Sequence, residues 1–155
     1  MESKLGFKGK IHATLYDENG NIKNDQFIPN TATVWMDEYV AYYLTNGSAS
    51  KIGFMAIGSG IGQTAASSGL AHGLDINALS GTTVPIQGTA GDDNDVIFSG
   101  YWAAGDGTGS ITEAGLFRAN SFTAGSMMLY SDALSVQKGA SDTFKIDWTL
   151  TCGAS

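Results

Sequence analysis

The sequence predicts a mainly β protein: an antiparallel β-sandwich, jelly-roll-like, with one short α-helix near residues 33–45. Three observations predict it. Several segments alternate apolar and polar residues with the period of a half-buried strand. Turn signals recur roughly every ten residues, the spacing of an all-β domain. One early stretch alone changes to helical spacing, so the strand–helix alternation of a parallel sheet is missing.

Residues 1–8 precede the first strand and read as an N-terminal arm, with Leu5 and Phe7 as its large apolar side chains. Residues 9–152 read as a single sandwich domain. From Gly9 to Tyr16, Ile11, Ala13 and Leu15 share one face, and Lys10, His12, Thr14 and Tyr16 the other. Asp17-Glu18-Asn19-Gly20 follows, and Asn-Gly favours a tight hairpin because both residues tolerate positive φ. Asn21 to Asn30 returns as the partner strand and ends at Pro29. Thr33 to Leu44 then carries Trp35, Tyr39, Tyr42 and Tyr43 at helical spacing, beside Met36 and Val40. Thr31 or Thr33 can cap this helix, Asp37 and Glu38 sit near its positive end, and Asn46-Gly47 stops it. Its aromatic stripe is expected to seal one end of the sandwich rather than to form a ligand pocket.

Lys51 to Ile57 is a short apolar strand running into Gly58-Ser59-Gly60-Ile61-Gly62 and a long Gly/Ser/Ala loop to about Asp75. Further strands are expected at Thr82–Gln87, Asp95–Ala103 and Ser110–Arg118, separated by turns at 92–95 and 105–109. Met127 to Val136 is another, closed by Lys138-Gly139. Asp142 to Thr151 alternates most cleanly. Phe144, Ile146, Trp148 and Leu150 face inward, and Thr143, Lys145, Asp147 and Thr149 outward, as in an antiparallel sheet with one solvated face. About eight strands result.

A chain of 155 residues has room for one domain. At that size folding buries roughly 68–70% of the unfolded surface, so neither disulfide staples nor a structural metal is needed. Its 21 glycines against 2 prolines suggest many tight turns. The net charge of −7, with 8 Lys+Arg scattered singly, disfavours nucleic-acid binding, which needs clustered cations. Charged residues are 15% of the chain, against about 25% in an average domain, which leaves a large neutral polar surface. The lone Cys152 rules out an internal disulfide and reads as a partly buried thiol at a strand end. The opening MESKLGFKGK has no apolar h-region, so no signal peptide is expected, and no apolar run approaches the ~20 residues of a membrane span.

Several motifs could carry chemistry. The glycine cluster after Ile57 misses the dinucleotide fingerprint, because Gln63 stands where the third Gly would fall, and no Gly-Lys-Ser/Thr occurs. A flexible loop is the simpler reading. Asp92, Asp93 and Asp95 cluster without calcium-loop spacing, while Asp106, Thr108, Ser110 and Glu113 place oxygens at alternate positions. Solvated acidic turns account for both, and no metal or cofactor is implied. His12 and His72 belong to no catalytic motif. Glu113, flanked on its strand face by Ile111 and Phe117, is a candidate perturbed carboxylate without a cleft partner. The plainer expectation is a buried carboxylate accepting backbone N–H bonds from the glycine turn before it. No catalytic residue is nominated.

These segments together resemble a family of small virion structural proteins of tailed bacteriophages, jelly-roll-like head decoration (cement) proteins and small tail components. The likeness runs through the first hairpin, NTATVWMDEYVAYYL, FMAIGSGIG, VIFSGYWAAGDGTGSITEAGLFRA and VQKGASDTFKIDWTLT. Its most specific part is the run Ile111 to Phe117, with Glu113, Gly115 and Phe117, followed by Lys138-Gly139-Ala140 and Trp148-Thr149. Residues 69–75 depart from the Thr-x-Leu-x-x-Glu expected there, which puts a contact by that loop in doubt.

The resemblance implies a non-enzymatic subunit on the capsid surface of a virion assembled in a bacterial cytoplasm. It would bind the major capsid protein and neighbouring copies of itself, as a homotrimer, without nucleic acid or membrane. Leu5 and Phe7 would then lie across a neighbour and order on binding, unless the terminus is merely frayed. A tail, fibre or baseplate component is the alternative. A carbohydrate-binding or glycan-cleaving sandwich is the reading from another class, with Trp35, Trp102 and Trp148 as stacking surfaces. Trp148 is expected inside and Trp35 on the helix stripe, which leaves Trp102 as the exposed platform.

Overall fold

The structure is a computed structural model and describes residues 6–46, 50–83, 94–122 and 127–153. Its elements are β1 (Phe7–Tyr16), β2 (Ile22–Pro29), β3 (Thr31–Ala32), α1 (Val34–Thr45), β4 (Phe54–Gly58), β5 (Gly73–Ala78), β6 (Gly81–Thr83), β7 (Asp95–Trp102), β8 (Gly109–Ile111), β9 (Glu113–Phe117), β10 (Met127–Ser131), β11 (Val136–Lys138) and β12 (Thr143–Cys152). Two five-stranded antiparallel sheets form the expected sandwich, in the orders β2-β1-β12-β7-β6 and β3-β10-β9-β4-β5. The chain passes to the second sheet after β2, returns after β5, crosses again after β7 and returns after β10. No helix among the described residues is long and apolar enough to cross a membrane.

The sheets bury differently, and this explains which strands were legible. In the first sheet β12 alternates as expected: Phe144, Ile146, Trp148 and Leu150 are buried and their neighbours are not. In the second sheet β9 and β10 are buried at every position. One face meets the main core through Ala114, Leu116 and Met128. The other meets a smaller cluster of Leu70, Phe117, Met127 and Tyr130, with Phe54, Ile76 and Phe122 at its edge. Strands covered on both faces read as apolar runs without period two.

Several boundaries move. Ser110–Arg118 is two strands, because Thr112 turns aside to donate its N–H to Gly58 O (2.9 Å) and its hydroxyl to Gly60 O (2.7 Å). Met127–Val136 also divides: β10 stays in the second sheet, while Val136 to Lys138 forms β11 and pairs with β8. β5 lies where a loop was expected, and of the Thr82–Gln87 strand only the start is seen, residues 84–87 lying outside the described residues. β1 begins at Phe7, so the arm boundary after residue 8 is too late.

The helix keeps its expected place with a different anchor. Thr33 precedes it, yet its hydroxyl donates to Met127 O (2.6 Å) and Met128 O (3.1 Å) rather than capping the helix. That ties the helix start to β10. Met36 is buried, and Trp35, Tyr39 and Val40 pack against the main core. The second half projects past it, so Tyr42, Tyr43 and Leu44 are exposed instead of sealing the sandwich.

A close approach at one glycine locks the first sheet. The Asn30 side chain crosses β1 at Gly9, where a Cβ would collide with the Asn30 amide, and its Oδ1 accepts the Trp148 indole N–H at 2.8 Å. Gly9→Ala is expected to destabilise by about 1–3 kcal/mol, as does losing the partner of a buried donor in Asn30→Ala. Because both break one contact, urea unfolding of the double variant should show less than the sum of the two losses.

Acid should loosen the turn between β11 and β12. Asp142 accepts Lys23 Nζ (2.8 Å) and the Gly139 N–H (2.7 Å), and these hold its carboxyl below the ordinary 3.8. A carboxyl depressed by folding contributes stability that is complete above its ordinary value and is lost as the pH falls through the folded one. Thermal melts from about pH 6 down to about pH 2 should therefore fall less steeply below about pH 4 for Asp142→Asn than for the parent.

Candidate functional site

Three features outside the main core concentrate chemistry. The first centres on Glu113, which is fully buried at the start of β9. Its Oε1 accepts the N–H groups of Gly60 (2.9 Å) and His72 (2.8 Å), and its Oε2 those of Ala71 (3.0 Å) and the Gln63 side chain (2.9 Å). Burying a carboxylate is costly unless its lone pairs are satisfied, and four donors do this. They come from the long loop of residues 59–72, which corrects the expectation that the preceding 105–109 turn would supply them.

The glycines explain the spacing. A Cβ on Gly58 or Gly60 would stand 2.5 or 2.6 Å from Glu113 Oε1, so the loop backbone can wrap the carboxylate only without side chains there. The loop is further tied by Tyr130 Oη donating to Gln63 O (3.2 Å), Val34 N donating to Ala65 O (2.8 Å) and Gly62 N donating to Asp132 (3.2 Å). It is an anchored cover over the second sheet, not the flexible segment expected. Ala71 and His72 donate to Glu113 through their backbone N–H groups, so this contact does not depend on which side chains stand there.

The other nominated motif residues are structural in the same region or in the core. A Cβ on Gly115 would stand 2.8 Å from the Phe117 ring and 3.1 Å from Met127 Sδ, so this glycine lets the second cluster close. Trp148 is buried as expected, but Trp102 is buried too, which corrects its reading as an exposed platform. Glu113 is not brought to Asp106, whose charge instead faces the buried Lys138. Burial pushes that amine below its ordinary value, Asp142, Asp106 and Asp75 oppose this, and its Nζ donates to Ala103 O at 2.9 Å. Asp92 and Asp93 lie outside the described residues, among which no three His, Cys, Asp or Glu side chains are placed to hold a metal ion. Leu5 also lies outside them, whereas Phe7 pairs with Cys152 in the sheet and packs against the core, so it is not a free arm residue. Cys152 is half-buried, and burial raises its thiol pKa.

The second feature is the solvated face of the first sheet. Strand register sets Phe27, His12, Asp147, Ser99 and Gly81 side by side across all five strands. The next row is Pro29, Lys10, Thr149, Ile97 and Thr83. His12 stacks on the exposed Phe27 ring at 4.2 Å and 11°, and Lys10 Nζ lies 5.0 Å from that ring's centre. His12 Nε2 meets Asp25 at 2.5 Å, and Asp147 accepts Ser99 Oγ (2.7 Å) beside Lys145 Nζ (3.1 Å). Lys10, His12, Phe27, Thr83, Ile97, Ser99, Asp147 and Thr149 line a groove of about 410 Å³. His72 is remote from it, its Nδ1 held 2.6 Å from Ser59 Oγ on the Glu113 loop. The outward alternation of β1 and β12 marked His12, Asp147 and Thr149 as surface residues, but that they share a face required knowing which strands adjoin.

The third feature is the projecting end of α1. Tyr42, Tyr43 and Leu44 are exposed together, Leu44 at 80%, and Val34 is exposed at the helix start. Tyr39 beneath them takes the Arg118 guanidinium at 5.2 Å from its ring centre.

The Glu113 clamp is tested by substitution. Glu113→Ala leaves three backbone N–H groups of the loop without their acceptor and should cost about 3–5 kcal/mol in urea unfolding. Glu113→Gln, which keeps the size but turns an N–H donor toward N–H donors, should destabilise less. In both variants limited proteolysis should cut first within residues 59–72.

No protein-family model, curated protein or solved structure matches this chain.

Proposed function

We propose that this protein is a non-enzymatic structural component of a tailed-phage particle, a capsid decoration protein that binds major-capsid subunits as a homotrimer. The observation that carries the reading is the end of α1. The second half of the helix leaves Tyr42, Tyr43 and Leu44 in solvent, three large side chains adjacent in sequence. Grouped exposed apolar side chains of this kind mark surfaces that other proteins cover. The low charge density of the chain favours extensive neutral contact over electrostatic recognition. The resemblance through Glu113, Gly115 and Phe117 supports the placement in a virion.

Such a subunit stabilises a shell by burying additional interface across capsid subunit boundaries. Each contact can be modest, because the gain is repeated over the lattice. A tail or fibre component would use the same helix end in another place, and the number of copies per purified particle separates the two.

The test is addition of the protein to capsids stripped of it. The parent should bind and raise the temperature at which the shell ruptures. Leu44→Asp combined with Tyr42→Asp should abolish binding while costing the protein's own stability no more than about 2 kcal/mol, the effect of two carboxylates at the helix's negative end. Undiminished binding by that double variant would remove the helix end from the interface.

A further inference from the structure

The geometry points to a second binding site: the groove on the solvated face of the first sheet takes a neutral saccharide. It is independent of the helix end and of the reading built on it. Its volume of about 410 Å³ is that of a small-ligand site and admits one or two sugar rings.

Three properties select the ligand class. The first is a fixed aromatic platform. Phe27 is 58% exposed, yet its ring is held by the His12 stack at 4.2 Å and by Lys10. A large apolar ring kept in solvent and already ordered loses little freedom on stacking against a ligand's C–H face. The second is polar chemistry opposite it. Asp147, Ser99, Thr149 and Thr83 lie along the groove and can exchange hydrogen bonds with hydroxyls.

The third is charge balance. Asp147 has Lys145 beside it at 3.1 Å and Asp25 lies against His12 Nε2 at 2.5 Å, so groups of both signs stand close together on this face and no single sign of charge dominates it. Lys10 sits against the Phe27 ring rather than alone. A phosphate or an acidic ligand would meet both carboxylates, and a cationic peptide would meet Lys10 and Lys145. An uncharged molecule with one apolar face and a rim of hydroxyls fits all three properties, which describes a neutral hexose or N-acetylhexosamine.

Saturation-transfer NMR on the full chain decides this, with glucose, galactose, mannose and N-acetylglucosamine as probes and inorganic phosphate as the charged control. Transfer is expected to at least one of the sugars, with Kd of about 1 mM, and added phosphate should not reduce it. Phe27→Ala should weaken it by about tenfold or more. Thr149→Val, which removes only a hydroxyl, should also weaken it and keeps the test alive should Phe27→Ala not fold. Leu44→Asp should leave sugar binding unchanged, so failure of the capsid reading and failure of this one are read separately. Absence of transfer from every sugar, transfer that survives both groove substitutions, or displacement by phosphate would each overturn the proposal.

Discussion

The buried carboxylate of Glu113 is the constraint on which the second sheet depends. It stands where β9 begins, beneath a loop with few hydrophobic side chains of its own. Without it, the backbone N–H groups of Gly60, Ala71 and His72 would face the protein with no acceptor. With it, the loop is drawn against the sheet, and Leu70 is delivered to the cluster around Phe117 and Met127. One charged group thus organises an apolar layer. The glycines at 58 and 60 and the break at Thr112 follow from it, since each makes room for the carboxylate or ties the loop beside it.

This arrangement divides the molecule into two faces. The second sheet is covered on both sides and has no open surface near its centre. The first sheet is covered on one side only, and the rows running from Phe27 to Gly81 and from Pro29 to Thr83 remain in solvent. Among the described residues, the first sheet is the one of the two large sheets with a solvated face. The helix offers a separate surface, because Thr33 pins its start to β10 and its second half extends beyond the core.

Legibility followed burial. The first hairpin and β12 could be read because one face of each is solvated, and period two then shows in adjacent residues. β9 and β10 hid their boundaries because every position is buried, and Thr112 looked like one more strand residue. Glu113 is visible in the sequence as an anomalous carboxylate between Ile111 and Phe117, but proximity in the chain points to the nearer glycine turn for its partners. They lie 41 to 53 residues away in the chain. Trp102 reads from the sequence as an exposed platform, but β7 places it inward, beside Phe144 at 5.8 Å. The groove was not legible at all, since it is assembled from β1, β2, β6, β7 and β12.

By itself, then, the sequence determined the class of fold, the single helix and the inward face of the first and last strands. These are consequences of local period and turn chemistry, which neighbouring residues carry among themselves. The tertiary structure alone decided that the first and last strands adjoin, that Glu113 clamps the glycine loop, and that Phe27, His12, Asp147 and Ser99 form one row. Each of those facts joins residues distant in the chain. Register and cross-strand neighbours are chosen by the burial of whole faces at once, and no short stretch of sequence contains that information.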